Sequence, residues 1–172
     1  MSLDLIKELR EQTSCGVVDC KKALEQAGGD INKAKALLRE KGLQMAMKKA
    51  SRVANEGRVE AYIHNGNKIG VLLEINCETD FVARNEDFIK FSKDLAMHIA
   101  AMAPKYLKKE DVAAEVLSAE ADQAAFFKAS VLLEQPFVKD PSKSVQDLLN
   151  ELVAKIGENI VVGRFLRYKI GE

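Results

Sequence analysis

Apolar residues recur at helical spacing through residues 3–42, in three runs separated by helix-breaking segments. Thr13–Gly16 interrupts the first run, and Gly28–Gly29 ends the second. Asp30 is suited to cap the start of the third helix, and Gly42 is suited to end it in a left-handed conformation. The apolar faces comprise Leu3, Leu5, Ile6 and Leu9, then Val17, Cys20, Ala23, Leu24 and Ala27, then Ile31, Ala34, Leu37 and Leu38. This pattern predicts a small three-helix module.

The hydrophobic period changes after residues 44–57, a stretch rich in Ala, Lys and Met that has no clear apolar stripe. Arg58–His64 alternates apolar with polar residues, and Asn65–Gly66 then gives the strongest short-range signal for a hairpin. The alternating apolar residues are Val59, Ala61 and Ile63. The second strand, Lys68–Asn76, is almost continuously apolar and is therefore expected in the middle of a sheet.

A long helix is predicted to follow the hairpin as far as Met102, where Pro104 ends it. Residues 109–135 are rich in Ala and Glu and are expected to contain one or two further helices. Residues 134–144 are interpreted as a loop with two prolines. The buried side of the long helix is expected to comprise Phe88, Phe91, Leu95, Ile99 and Met102.

The end of the chain completes the sheet. Ser144 is suited to cap a final helix, and residues 159–170 have the pattern of a last strand that joins the hairpin in an antiparallel arrangement. The predicted fold is therefore α+β. It comprises the helical module over residues 1–43, a linker over 44–57, and over 58–172 a core of three-stranded antiparallel sheet packed with helices.

Charge and composition exclude several classes of protein. The 26 basic and 26 acidic side chains cancel, so no net field favours nucleic acid or an anionic membrane. The densest basic group, Lys48, Lys49 and Arg52, is more typical of a solvated linker. No segment has the roughly 18 apolar residues of a membrane span, and the first residues lack a signal-peptide pattern. We expect a cytoplasmic protein that contacts neither nucleic acid nor membrane directly.

Few groups could perform chemistry, and none has a supporting motif. Cys77 could be a thiol nucleophile with His64 or His98 as its base, but no nucleophile elbow accompanies it. Cys15 and Cys20 lack the spacing of a redox pair, no set of residues has metal-ligand spacing, and no glycine-rich phosphate loop is present. We therefore expect no catalytic residue, no metal and no cofactor.

Residues 74–85, EINCETDFVARN, place an acidic and an aromatic residue between a strand and a helix. One interpretation makes Thr79 or Asp80 the cap of the long helix and Phe81 its first core residue. A second starts that helix at Asn85, which is itself a good cap and is followed by two acidic residues. A short separate turn would then protrude, and Phe81 would be available to a partner as an anchor.

Two stretches, LREQTSCGVVDCKKAL at 9–24 and EINCETDFVAR at 74–84, resemble the bacterial translation elongation factor Ts family. Further matches lie in the same order at 98–107, 134–145 and 155–168, so the resemblance covers nearly the whole chain. Members of this family are guanine-nucleotide exchange factors for the GTPase elongation factor Tu, and they make or break no bond in the nucleotide.

The resemblance implies a binding site in two parts. One segment enters elongation factor Tu beside its nucleotide and displaces Mg²⁺, which promotes release of GDP; it is matched by Thr79, Asp80, Phe81 and Val82. A second group, in a module of the ubiquitin-associated type, docks on the GTPase domain and is matched by Val17, Val18 and Lys21. The implied partner is elongation factor Tu, both GDP-bound and nucleotide-free.

This sequence departs from the family pattern in two ways. It has a single core where longer members have two, and it is shorter between Val116 and Glu134, where most of a basic helical stretch is missing. Short members tend to pair, so the resemblance implies a homodimer in a two-plus-two complex.

Two alternatives remain open from the residues. A ubiquitin-binding adaptor would carry a Met-Gly-Phe or Met-Gly-Tyr pattern, which the Cys15–Val17 loop lacks. A thiol hydrolase would depend on Cys77.

Overall fold

The computed structural model describes residues 2–13 and 15–172, and the chain divides into two compact units. One unit comprises Met1–Arg52 with Asn150–Asn159, and the other comprises Val53–Leu149 with Ile160–Glu172. Within the described ranges, no helix combines the length and the apolar character that crossing a membrane requires.

The first unit is built from α1 (Leu3–Thr13), α2 (Val17–Gln26) and α3 (Ile31–Lys49). The side chain of Asp30 caps α3 by accepting hydrogen bonds from two backbone amides at 2.9 and 3.0 Å, as predicted. Ser14, which belongs to the predicted break after α1, lies outside the described residues. The buried core comprises Ile6, Leu9, Cys20, Ala23, Leu24, Ala34 and Leu38.

The helix end predicted at Gly42 is wrong, because α3 continues through this residue to Lys49. A Cβ placed on Gly42 would lie 3.7 Å from the Cβ of Ala154 and 3.7 Å from the carbonyl oxygen of Asn150. Both residues belong to the last helix of the chain, α8 (Val145–Ile156). Both distances are ordinary van der Waals contacts, so Gly42 is a buried position within α3 that faces α8, and the first part of the predicted linker is helical.

Among the described residues, the second unit contains a three-stranded antiparallel sheet. It is formed by β1 (Glu56–Ile63), β2 (Ile69–Cys77) and β5 (Val161–Lys169), in that spatial order. The predicted hairpin is confirmed, and Gly66 takes the positive φ of 86° that its turn requires. The central place of β2 and the pairing of the last strand are also confirmed.

Helix α5 (Glu86–Met102) lies against β1 and β2 and covers one face of the sheet. Phe88, Leu95 and Ile99 are fully buried as predicted, but Met102 is wrongly assigned to the core, since it is 39% exposed at the end of α5. The remaining elements are α4 (Asp80–Ala83), α6 (Ala114–Ala119), α7 (Gln123–Ser130), β3 (Pro136–Phe137) and β4 (Asp140–Ser144).

The region before α8 corrects one expectation and confirms another. The stretch interpreted as a loop contains the short antiparallel ribbon of β3 and β4. Ser144 caps α8 as predicted: its hydroxyl accepts a hydrogen bond from the amide of Asp147 at 3.1 Å. The Asp147 carboxylate in turn accepts one from the Ser144 amide at 3.0 Å. This reciprocal pair fixes where the helix begins.

Candidate functional site

A short helical turn connects β2 and α5, and we refer to residues Thr79–Arg84 as the 79–84 turn. The hydroxyl of Thr79 caps α4 by accepting a hydrogen bond from the amide of Val82 at 3.4 Å. The side chain of Asn85 separately caps α5, accepting from the amide of Asp87 at 2.9 Å. The interpretation with two caps and a separate turn is therefore confirmed.

Phe81 is 80% exposed, so its interpretation as the first core residue of the long helix is wrong. A large aromatic side chain gains little in the free protein from such a position, because most of its apolar surface stays in water. The turn therefore presents Phe81 to solvent as a ready contact for another molecule.

Asp80 and Arg84 form an ion pair across the turn, with 3.0 Å between Arg84 Nη2 and Asp80 Oδ2. The side chains are 48% and 78% exposed, respectively, so solvent screens the pair and its contribution to stability is small. Its effect is local, because it joins one end of the 79–84 turn to the other. Both charged groups are exposed enough to form ion pairs with another molecule instead.

The second group of candidate residues lies on α2, and we refer to Val17, Val18 and Lys21 as the α2 patch. Val17 and Val18 are 50% and 64% exposed, and Lys21 follows one helical turn later. The apolar pattern predicts Val17 on the buried face of this helix. The buried residues of α2 are Cys20, Ala23 and Leu24, so the prediction is wrong for Val17. The patch is a small aliphatic surface bordered by a cation, whose ammonium lies 4.0 Å from Glu25.

The outer face of the sheet is a third exposed apolar surface, which the sequence reasoning did not identify as functional. The pairing places Ala61, Leu72 and Leu166 in one row across the strands, and Ile63 and Tyr168 in the next. The exposed fractions are 49% for Leu72, 48% for Leu166, 62% for Ile63 and 66% for Tyr168. We define the outer sheet face as Val59, Ala61, Ile63, Leu72, Leu166 and Tyr168. The strict alternation of apolar and polar residues along β1 is the sequence pattern that could have identified this face.

An ion pair borders the outer sheet face on the adjacent row. Arg164 donates from Nε to the Glu74 carboxylate at 2.8 Å, and this bond lowers the pKa of Glu74. Asn76 adds a second hydrogen bond to the same carboxylate at 3.3 Å. Polar groups that satisfy one another beside an apolar centre are typical of the rim of a protein interface.

The groups considered for catalysis are not arranged for it. Cys77 is fully buried, and its thiol donates a hydrogen bond to the carbonyl of Thr79 at 3.1 Å, so it is not an accessible nucleophile. His64 bonds the hydroxyl of Tyr62 at the surface, at 3.0 Å. Among residues 2–13 and 15–172, no group of three or more His, Cys, Asp and Glu side chains could hold a metal ion.

His98 is completely buried in a hydrogen-bonded network. Its Nδ1 accepts from the amide of Val138 at 3.2 Å, so Nε2 carries the proton and donates to Gln135 Oε1 at 2.9 Å. The ring also stacks on Phe137, with 5.5 Å between centroids. Burial lowers the pKa of His98 and keeps it neutral.

The basic group at the start of the predicted linker is partly committed to contacts within its own unit. Lys49 donates a hydrogen bond to the carbonyl oxygen of Gly157, and the carbonyl of Arg52 accepts one from Asn159 at 2.7 Å. These contacts give the group a structural role in the helical unit.

Comparison with known proteins identifies the class to which this combination of fold and exposed turn belongs. The family model for elongation factor Ts matches residues 6–125 and 122–172. Elongation factor Ts of Caldanaerobacter subterraneus subsp. tengcongensis is 52% identical, over 100% of this chain and 98% of the relative. The relative from Desulforamulus reducens is 51% identical, over 100% and 90% respectively. That from Thermodesulfovibrio yellowstonii is 48% identical, over 100% and 97%.

The chain belongs to the elongation factor Ts family. This is a family of translation elongation factors that act by nucleotide exchange and not by bond chemistry. Membership implies a role in exchange on elongation factor Tu.

The comparisons also bear on the shortened region. The alignment with the Caldanaerobacter relative spans 195 positions although this chain has 172 residues, so the relative contains residues that this chain lacks. The two stretches matched by the family model meet at residues 122–125, where α7 begins. This position lies between Val116 and Glu134, the region that is expected to be shorter than in other members of the family.

Proposed function

We propose that this protein promotes release of GDP from elongation factor Tu by inserting the 79–84 turn beside the nucleotide and displacing Mg²⁺. The observation that carries the proposal is the exposure of Phe81 at the tip of a turn that is capped independently of its neighbours. Thr79, Asp80, Phe81 and Val82 form the inserted segment. Asp80 brings a carboxylate and Phe81 an apolar wedge to the same point.

The energetics of this mechanism depend on the metal in the partner. Mg²⁺ held beside the phosphates of GDP would offset their negative charge, so it would supply much of the affinity of a GTPase for GDP. A factor that binds the loosened form better shifts the population of the GTPase towards that form. The coupling is reciprocal: the factor weakens GDP binding, and the nucleotide weakens binding of the factor by the same ratio.

The α2 patch is proposed to dock on the GTPase domain through Val17, Val18 and Lys21. Exposed aliphatic residues beside a cation suit a partner surface that combines an apolar hollow with an acidic group. In this account residues 1–43 act as the docking module, residues 44–57 as the connection and residues 58–172 as the exchange core.

We further propose that two copies pair through the outer sheet face to form a homodimer, which binds two molecules of elongation factor Tu. The rows Ala61–Leu72–Leu166 and Ile63–Tyr168 supply an apolar centre, and the Glu74–Arg164 pair supplies a polar rim. Face-to-face packing of two sheets is a common way to bury such a surface. The protein is placed in the cytoplasm, where translation takes place.

The direct test is release of a fluorescent GDP analogue from elongation factor Tu, followed after addition of excess unlabelled GDP. A small molar fraction of this protein should accelerate release of all the bound nucleotide, because each molecule acts repeatedly. Release at the spontaneous rate would overturn the proposal.

A further inference from the structure

We propose that Cys77 is a positioning residue for exchange: its buried thiol holds the 79–84 turn at a fixed angle to the sheet. This inference rests on the proposed exchange function, because the turn is the element whose position it controls. Cys77 contacts no nucleotide and acts through the backbone of Thr79.

The side chains of the 79–84 turn are exposed or only partly buried. Phe81 is 80% exposed, and α4 contains no buried residue. The Asp80–Arg84 ion pair and the Thr79 cap on Val82 both join residues within the turn. These two contacts stay within the turn and fix its internal shape, whereas α4 as a whole packs against β1 and β2.

Cys77 supplies a bond that does tie the turn to the sheet. It is the last residue of the central strand, pairs with Glu56 on β1 and is fully buried. Its Sγ lies 3.1 Å from the carbonyl oxygen of Thr79, which also accepts the first helical bond of α4, from the amide of Ala83 at 3.2 Å. A carbonyl oxygen has two lone pairs, so it can accept both donors. One atom thus joins the sheet to the start of α4.

The strands β1 and β2 are closely packed where β2 ends at Cys77. Gly57 has a φ of 148°, and a Cβ on it would lie 2.1 Å from the carbonyl oxygen of Ile75 and 2.8 Å from the Cα of Asn76. Only glycine allows β1 to approach β2 so closely immediately before Cys77. Because α4 lies against both strands, the thiol hydrogen bond acts from a fixed point.

A thiol is a weak donor, so its loss should have a modest and measurable effect. GDP release is measured as a function of factor concentration, which separates the maximal rate from the half-saturating concentration. Cys77→Val keeps most of the volume and removes the donor, and it should lower the maximal rate about threefold with an unchanged half-saturating concentration. Cys77→Ser keeps a donor and should restore most of that rate.

Val71→Ala is the matched control, since Val71 is 3% exposed on the same strand, far from the turn. It tests whether a lower maximal rate follows simply from a weakened core. Its maximal rate should equal that of the wild type at a temperature where all variants are folded. A threefold loss in Val71→Ala as well would overturn the positioning role of Cys77.

A second measurement tests the hydrogen bond between Cys77 and Thr79 in the absence of elongation factor Tu. Hydrogen exchange of the Ala83 amide reports opening of the first bond of α4. It should be about threefold faster in free Cys77→Val and unchanged in Cys77→Ser and Val71→Ala. If Cys77→Val does not fold, Cys77→Ala takes its place with the same expectation. Unchanged exchange at Ala83 would refute the anchor, whereas a wild type that releases no GDP would refute only the proposed function.

Discussion

The 79–84 turn and the α2 patch both expose apolar side chains, but they are built in different ways. The turn is one helical turn with its own cap, followed at once by the cap of α5, and it presents a single aromatic ring, Phe81. The α2 patch lies on the first turns of a regular helix, where Gly16 provides no side-chain cap, and it presents two valines.

In the proposed mechanism the turn determines the rate of GDP release and the α2 patch determines the affinity for elongation factor Tu. An exposed ring on a short capped turn suits insertion into a partner, where it can displace the groups that hold the nucleotide. A flat aliphatic patch on a packed helix suits docking, where it contributes to binding before and after insertion. Variants in the two regions should therefore affect different kinetic constants.

The proposed dimer would carry two copies of the 79–84 turn and two of the α2 patch, and its assembly can be tested without elongation factor Tu. Leu72→Asp would place a charge at the centre of the outer sheet face, which the proposed dimer buries. Burying an unpaired charge costs about 3 kcal/mol or more, so the dimer dissociation constant should rise over about a hundredfold. Sedimentation velocity should show monomers at concentrations where the wild type pairs. Val53→Asp, at a site 71% exposed outside this face, is the matched control and should still pair.

Phe81→Ala removes the ring that distinguishes the turn from the patch. Loss of an interface anchor typically costs about 2 kcal/mol, so the maximal rate of GDP release should fall about thirtyfold. The midpoint of thermal unfolding should stay unchanged, because the ring is exposed in the free protein. Val53→Ala, at a comparably exposed site, should leave the rate unaffected. A marked drop in thermal stability of Phe81→Ala would mean that the ring supports the fold.

Val18→Asp changes the α2 patch while leaving the turn intact. A charge in a docking surface should weaken binding to elongation factor Tu by about 1.4 kcal/mol, which is about tenfold. The half-saturating concentration should rise and the maximal rate should hold. Leu3→Asp introduces the same charge at a site 82% exposed on α1 and should change neither constant. A fall in maximal rate with unchanged affinity would contradict the division between the regions.

The smallest expected effect is a dependence of stability on pH, from His98. Burial lowers its pKa in the folded state, so the unfolded chain binds more protons at mildly acidic pH. The stabilising contribution is complete above the unfolded pKa of about 6.5 and is lost as pH falls below it. Denaturant unfolding should show a larger loss between pH 7.5 and 5.5 for wild type than for His98→Asn. His64→Asn should behave as wild type, and equal losses in all three would exclude His98 as the source.

Much of the fold follows from local signals in the sequence. Asp30, Asn85 and Ser144 each cap the helix that their position predicts, because a side-chain oxygen can reach the first free amides wherever a helix begins. Asn65–Gly66 likewise identifies the hairpin, since glycine accepts the positive φ of the turn. These features depend on a few consecutive residues.

The errors arise where distant parts of the chain decide the outcome. Gly42 has the local character of a helix end, yet it is buried inside α3, which continues through it to Lys49. The alternation along β1 identifies two faces of a strand but not which face α5 covers. The outer sheet face was therefore not foreseen as an exposed surface. The position of Phe81 could be foreseen only because two caps, Thr79 and Asn85, follow one another.

The most direct test of the account is the dependence of exchange on Mg²⁺. Release of a fluorescent GDP analogue from elongation factor Tu is measured with wild type and with Phe81→Ala, once with Mg²⁺ saturating and once with it chelated. The account predicts a large advantage of the wild type in Mg²⁺ and a much smaller one without it, because no ion remains to be displaced. An advantage of the same size under both conditions would contradict displacement of Mg²⁺ by the 79–84 turn.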